Sequence, residues 1–197
     1  ADAASLNLED LIPREDMVVT VTNGGYIKRV PLAEYDTQKR GGRGKSGMST
    51  KDDDHVEHLF VASSHSYLLF FTDRGQVFKS RVFELPTGSR QARGKPLNNV
   101  LALQADERLS MVLPIDDFEE GKSVFFATAK GKIKKTDLML YRNVRVNGIR
   151  AINLGDDDRL IAVRLVEPGQ HIMLATKKCQ VIRFEESQAR YLGRTAS

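Results

Sequence analysis

Val18-Val-Thr-Val-Thr-Asn-Gly-Gly-Tyr-Ile-Lys28 decides the fold, because its pattern occurs four times. Leu68-Leu-Phe-Phe-Thr-Asp-Arg-Gly-Gln-Val-Phe78, Val124-Phe-Phe-Ala-Thr-Ala-Lys-Gly-Lys-Ile-Lys134 and Ile172-Met-Leu-Ala-Thr-Lys-Lys-Cys-Gln-Val-Ile182 are the other copies. Each opens on an apolar arm rich in Val, Phe, Leu and Ile, turns, and leaves on an arm that alternates apolar with polar residues. That is the pattern of a β-hairpin. Gly25, Gly75 and Gly131 stand three residues after Thr22, Thr72 and Thr128, where a type I turn that ends on positive φ needs glycine. In the fourth copy Cys179 holds that place, so its turn must strain or change type.

Working outward, a second element recurs. Asp54-His-Val-Glu-His-Leu-Phe-Val61, Asp106-Glu-Arg-Leu-Ser-Met-Val-Leu113 and Asp157-Asp-Arg-Leu-Ile-Ala-Val-Arg164 each precede a hairpin and read as a turn followed by a strand. The threonines Thr22, Thr72, Thr128 and Thr176 are 50, 56 and 48 residues apart. Several short strands at a period near 50, with no room for long helices, predict an all-β, propeller-like array of four-stranded antiparallel blades. The expected division is a linker over 1–14 and one domain over 15–197, with repeats at about 15–50, 51–104, 105–155 and 156–197. Four repeats, the last broken off after its hairpin, suggest a fragment of a longer array.

The chain has 197 residues, 41% apolar and 28% charged, which suits a globular protein with a substantial core. A single cysteine excludes an intrachain disulfide and a cysteine-built zinc site, and points to a reducing, cytoplasmic setting. No apolar run approaches a membrane span, and no signal peptide is visible. The net charge of +4 is a mild excess, so its placement carries more information than its size.

Each repeat carries a basic loop. The first is Gln38-Lys39-Arg40-Gly41-Gly42-Arg43-Gly44-Lys45. The others contain Arg90, Arg93 and Lys95; Arg142, Arg145 and Arg150; and Arg190 and Arg194. The second hairpin arms add Lys28 and Arg29, Lys79 and Arg81, Lys132, Lys134 and Lys135, and Arg183. Acidic residues gather instead in the inter-unit turns, as in Asp52-Asp53-Asp54 and Asp156-Asp157-Asp158. Repeat-equivalent basic positions would line one rim, a footprint for a polyanion that bends. The glycines of the first loop let backbone N–H groups approach phosphate oxygens, and its basic side chains supply neutralising charge. A nucleotide-binding P-loop ending at Gly44-Lys45-Ser46 would need glycine at position 39, where Lys39 stands.

Gln38 to Gly44 resembles the gyrase A box, the seven-residue signature of the C-terminal domain of the DNA gyrase A subunit, and departs from it only in conservative basic positions. Glu15-Asp-Met-Val-Val-Thr, Gly25-Tyr-Ile-Lys-Arg, Ala92-Arg-Gly-Lys-Pro and Phe118-Glu-Glu-Gly are similar to that family too, so the resemblance runs from about Leu6 onward. It implies a β-pinwheel, usually of six blades that exchange a strand with their neighbours. Duplex DNA would wrap around its basic perimeter for negative supercoiling by an A2B2 holoenzyme with the gyrase B subunit. In that family the cleaving tyrosine and the ATP site lie outside this domain, so the chain is expected to be a binding module with no catalytic residue, metal or cofactor of its own. His55, His58, His65 and His171 lack metal-ligand spacing and are read as structural or surface residues. The alternatives are the C-terminal domain of the topoisomerase IV A subunit, whose box is degenerate, and a propeller used as a protein-interaction scaffold. A scaffold would want an apolar or aromatic patch, and the basic loops hold only Tyr191.

Overall fold

The structure, a computed structural model, describes residues 8–35, 54–177 and 180–196. Thirteen short strands and single turns of 3-10 helix make up the regular structure there, and no α-helix occurs among these residues. The first hairpin is β1 (Asp16–Thr22) with β2 (Tyr26–Pro31). The later ones are β4 (Tyr67–Thr72) with β5 (Gln76–Arg81), β8 (Ser123–Thr128) with β9 (Ile133–Asp137), and β12 (His171–Ala175) with β13 (Val181–Glu185). The turns behave as the glycine spacing requires. The N–H groups of Gly25, Gly75 and Gly131 donate to the carbonyls of Thr22, Thr72 and Thr128 at 2.9–3.0 Å, with φ of +76° to +83° at the three glycines. The turn at Cys179 lies outside the described residues.

The acidic turns lead, as expected, into strands: β3 (Val56–Ser63), β7 (Leu109–Ile115) and β11 (Leu160–Val166). Two more strands are only two residues long, β6 (Lys95–Pro96) and β10 (Ile149–Arg150), and they come from the basic loops. The sheets run β3-β1-β2-β6, β10-β5-β4-β7, β11-β8-β9 and β12-β13. The expected four strands are therefore complete in two sheets. Each complete blade takes its outer strand from the loop that follows the next hairpin. By internal contacts the chain divides into two compact units. One holds the described residues up to Leu68, with Ser80–Ala102 and Pro114–Asp116. The other holds Leu69–Lys79, Leu103–Leu113 and the described residues from Asp117 on.

Within each unit the first hairpin arms are buried on both faces and form the core: Met17, Val19 and Val21 in the first, and Phe70, Phe71, Val124 and Phe126 in the second, all at most 1% exposed. Phe71 meets Phe126 edge to face at 5.5 Å, and Tyr141 packs against both. In the first unit, the stretch read as a linker is tied down from Leu8 on. The Ser64 hydroxyl donates to the Pro13 carbonyl at 2.8 Å, and the Arg81 guanidinium pairs with Glu9 at 3.0 Å while lying 3.7 Å over the Tyr67 ring. Among the described residues no helix is long and apolar enough to cross a membrane.

The threonine that anchors each turn has a chemical reason. Its hydroxyl oxygen accepts from the N–H four residues on, at 3.2 Å in all four copies (Tyr26, Gln76, Lys132 and Gln180). In the second copy the same hydroxyl donates to the Glu107 carboxylate of the next acidic turn at 2.6 Å, and in the first and third the Thr22 and Thr128 hydroxyls favour the charged carboxylates of Asp54 and Asp158. A hydroxyl both donates and accepts, so one side chain closes its own hairpin and joins the next strand to it. Burial alone would raise the Asp54 and Asp158 carboxyls. For Asp54 the bonds from the Gly24 N–H, the Thr22 hydroxyl and the His55 N–H, with the charge of Arg93, outweigh it. For Asp158 the Thr128 hydroxyl, the Lys130 and Arg159 N–H groups and the Lys130 charge do the same, and both acids are held below the ordinary 3.8.

A carboxyl lowered on folding stabilises the fold fully above its unfolded value, and that contribution disappears as pH falls through the folded value. The melting temperature should therefore drop as pH is lowered from about 5 to about 3, and drop less in Asp158→Asn. Parallel melting curves for the two proteins across that range would refute this role.

Candidate nucleic-acid interface

Each described basic loop is set by the hairpin of the preceding repeat. In the first unit the loop after β5 runs along the outer edge of β2. The Arg29 N–H donates to the Pro86 carbonyl at 2.9 Å, Ile27 pairs with Lys95, and the Leu97 N–H donates to the Gly25 carbonyl at 2.7 Å. Gly94 has φ of +93°, and a Cβ there would lie 2.5 Å from the Ile27 carbonyl oxygen, so the two backbones could not come this close with any other residue. In the second unit β10 lies on β5, with Ile149 opposite Val77. Likewise the Lys135 N–H donates to the Arg190 carbonyl and its carbonyl accepts from the Leu192 N–H, each at 2.9 Å.

The centre of this arrangement is a charge that the sequence pattern puts on the surface. Lys28 and Lys134 occupy the same position of their repeats, six residues after the threonine, and both are 0% exposed. The Lys28 ammonium donates to the carbonyls of Arg90 (2.5 Å), Ala92 (2.8 Å) and Ser89 (3.1 Å). Lys134 donates to those of Ala196 (2.7 Å), Arg194 (2.9 Å), Ala151 (3.0 Å) and Gly193 (3.2 Å). Burial, with the Arg194 charge nearby, pulls the Lys134 ammonium down from 10.5 to about 8; burial, partly offset by Glu34, also lowers Lys28. The sequence reading sets Lys134 on a DNA-facing rim. It is instead a structural cation, since its three donors are all taken by backbone and no ligand can reach it.

The other predicted basic residues divide by surroundings. Lys95, Lys132, Arg142, Arg145, Arg150, Arg183 and Arg190 are exposed. Lys79, Arg81, Arg90, Arg93, Lys135 and Arg194 are half-buried. Of these, Arg81 is paired with Glu9 and Lys135 with Glu186, and Arg93 lies 3.7 Å both from Asp54 and from the Tyr26 ring centre. Lys79 donates to the Arg142 carbonyl, which ties the second arm of that hairpin to the third basic loop. Gln38, Lys39, Arg40, Gly41, Gly42, Arg43, Gly44 and Lys45 lie outside the described residues. Among the described residues no cluster of His, Cys, Asp or Glu could hold a metal, and His65 bonds the Ile12 carbonyl at 2.7 Å as a structural residue.

The geometry thus consists of hairpins whose second arms hold glycine-bearing basic loops. A family model described as the DNA gyrase C-terminal domain, a β-propeller, matches residues 16–63, 66–116 and 122–167, three successive repeats. The chain belongs to the DNA gyrase C-terminal domain family. Among curated relatives it is 45% identical over 197 residues to the DNA gyrase A subunit of Salmonella typhimurium, covering all of this chain and 22% of that protein. It is 46% identical over 193 residues to that of Escherichia coli, covering 98% and 22%. The chain spans about a fifth of the length of these relatives. Among solved structures, the crystal structure of the C-terminal domain of DNA topoisomerase IV matches with a TM-score of 0.77 at 30% identity, over 94% of this chain and 56% of that one. A DNA gyrase A C-terminal domain matches with 0.74 at 22% identity, over 92% and 58%, and shows the shared fold. The strand contributed by the next repeat is what the family resemblance implied, and here β6 and β10 display it.

If the buried lysines shape these loops, Lys28→Met and Lys134→Met should each lose about 1–3 kcal/mol of stability, because carbonyls folded inward are left without a donor. Urea unfolding measures the loss, and amide hydrogen exchange over residues 88–97 should quicken in K28M. A K28M protein with unchanged stability and exchange would show that the loop holds its shape without the ammonium.

Proposed function

We propose that this domain binds duplex DNA without sequence preference and bends it over the basic loops of successive repeats, wrapping it for negative supercoiling by DNA gyrase. The observation that carries this reading is the repetition of one device. Each described loop meets the second arm of the preceding repeat's hairpin and carries basic side chains: Arg90 and Lys95, then Arg142, Arg145 and Arg150, then Arg190 and Arg194. Family membership and the box-like stretch from Gln38 to Gly44 support it.

Contacts of this kind neutralise phosphates and release counterions, so affinity falls with salt by about 0.9 in log–log slope per phosphate. Bending a site of about 20–30 base pairs by 40–90° costs on the order of 1–6 kcal/mol, which a few charge-assisted contacts of about 1.5–3 kcal/mol offset. The loops offer charge and backbone and no element shaped for a groove, so little base readout follows. In this reading the segment carries no chemistry and needs no cofactor. Strand cleavage and ATP hydrolysis belong to the gyrase B subunit and to the rest of the gyrase A subunit, with which it would act in the cytoplasm. The topoisomerase IV likeness suggests a domain that binds without strong wrapping; the gyrase A relatives at 45–46% identity favour the wrapping reading.

The test pairs a salt titration on linear duplex with closure of relaxed plasmid in the presence of the protein. Wild type should bind with a slope steeper than about −5, matching six or more phosphates, and shift the linking number. Lys39, Arg40 and Arg43 changed together to Ala should bind with a shallower slope and lose the shift. Binding without any shift would mean holding without wrapping, and no binding at low salt would refute the DNA reading.

A further inference from the structure

In the second unit, the third and fourth basic loops close a cleft of about 460 Å³. Arg145 and Arg150 come from the third loop and Arg194 from the fourth, with Asn143, Thr195 and Leu140 completing the wall; none of its lining side chains is acidic. Two of the guanidiniums are already oriented. Arg150 donates from one nitrogen to the Arg74 carbonyl at 3.0 Å, and Arg194 donates to the Arg150 carbonyl. A guanidinium has five N–H donors, so each keeps several for a ligand, and a tethered side chain loses less freedom on binding. The buried Lys134 ammonium, which holds the Ala151 and Arg194 carbonyls, adds a further positive charge near Arg194.

Such a cleft suits a tetrahedral oxyanion. Guanidinium forks match phosphate oxygens in pairs, and the wall offers no aromatic face on which a base could stack. The corresponding place in the first unit lies between the 3-10 turn after β2 and the second basic loop. Among the described residues it is lined by Glu34, Ser89, Arg90 and Gln91.

We propose that the cleft between Arg145, Arg150 and Arg194 seats one backbone phosphate of the bound duplex. It would be a fixed anchor on a surface whose other contacts are diffuse. This rests on the DNA-binding reading above and adds that one contact has a defined geometry and depends on guanidinium forks. The experiment measures affinity for linear duplex across salt, and for inorganic phosphate, with the 197-residue chain in five forms. These are wild type, R145A/R150A/R194A, R145K/R150K/R194K, R145A alone, and R108A/R159A/R164A, which removes three exposed arginines elsewhere in the same unit.

The cleft-alanine protein should bind at least tenfold more weakly, with a slope shallower by about 0.9, one phosphate's share. The lysine protein should keep the wild-type slope yet lose several-fold in affinity, because charge remains and the forks do not. The control should stay nearer wild type in both. R145A leaves the two backbone tethers intact and should still lose severalfold, which keeps the test valid if the triple variant folds poorly. Lysine variants that bind like wild type, or a cleft-alanine protein that matches the control, would overturn the anchor. So would loss of inorganic phosphate binding with DNA affinity unchanged, which would make the cleft a free-anion site. Failure of wild type to bind DNA would bring down the functional reading itself and is told apart by that arm alone.

Discussion

A lysine ammonium closed in by backbone carbonyls is the interaction on which the second and fourth basic loops depend. Removing such a charge from water costs several kcal/mol, and the cost is offset only if strong acceptors are aimed at it. At Lys28 and Lys134 the acceptors are the carbonyls of the next repeat's loop, so lysine and loop define one another. With the carbonyls turned inward, Gln91 remains at the surface and Arg90 half-exposed. The short strand β6 then follows from the loop's path along β2, and Gly94 from how close the two backbones come.

Charge in this protein thus has two separate uses. One set of cations is internal: Lys28 and Lys134 on carbonyls, Arg81 on Glu9 and Tyr67, Lys135 on Glu186. Another set is exposed and remains available to a polyanion. The acids are divided in the same way, since Asp54, Glu107 and Asp158 hold turn threonines. A net charge of +4 therefore understates how basic the loop surfaces are, because many of the acids sit in the inter-unit turns, away from the loops.

Much of this was legible in the sequence. The fourfold hairpin pattern gave the strands, and Thr-x-x-Gly gave the turn geometry that Gly25, Gly75 and Gly131 adopt. The partners across repeats were not legible, because periodicity reports which residues recur and leaves open what they touch. Lys134 shows why. On an alternating arm a lysine reads as solvent-facing, and only its backbone acceptors, 17 to 62 residues away, make burial tolerable. A signal did exist: the four copies place Lys28, Phe78, Lys134 and Ile182 in one column, and a column that mixes lysine with phenylalanine and isoleucine marks an inward position. The acidic turns hid their role similarly, since a carboxylate that holds a threonine has the same composition as one that faces water.

The strand lent from one repeat to the edge of another has a consequence for how such a chain can be inherited and cut. The period in the sequence and the finished blade in space are out of step: a blade is completed by residues from the following period. No single period, excised, carries everything its hairpin needs, and duplicating one repairs nothing unless its successor comes too. Modularity here belongs to adjacent pairs of repeats, so the unit on which duplication and recombination act is the junction between them.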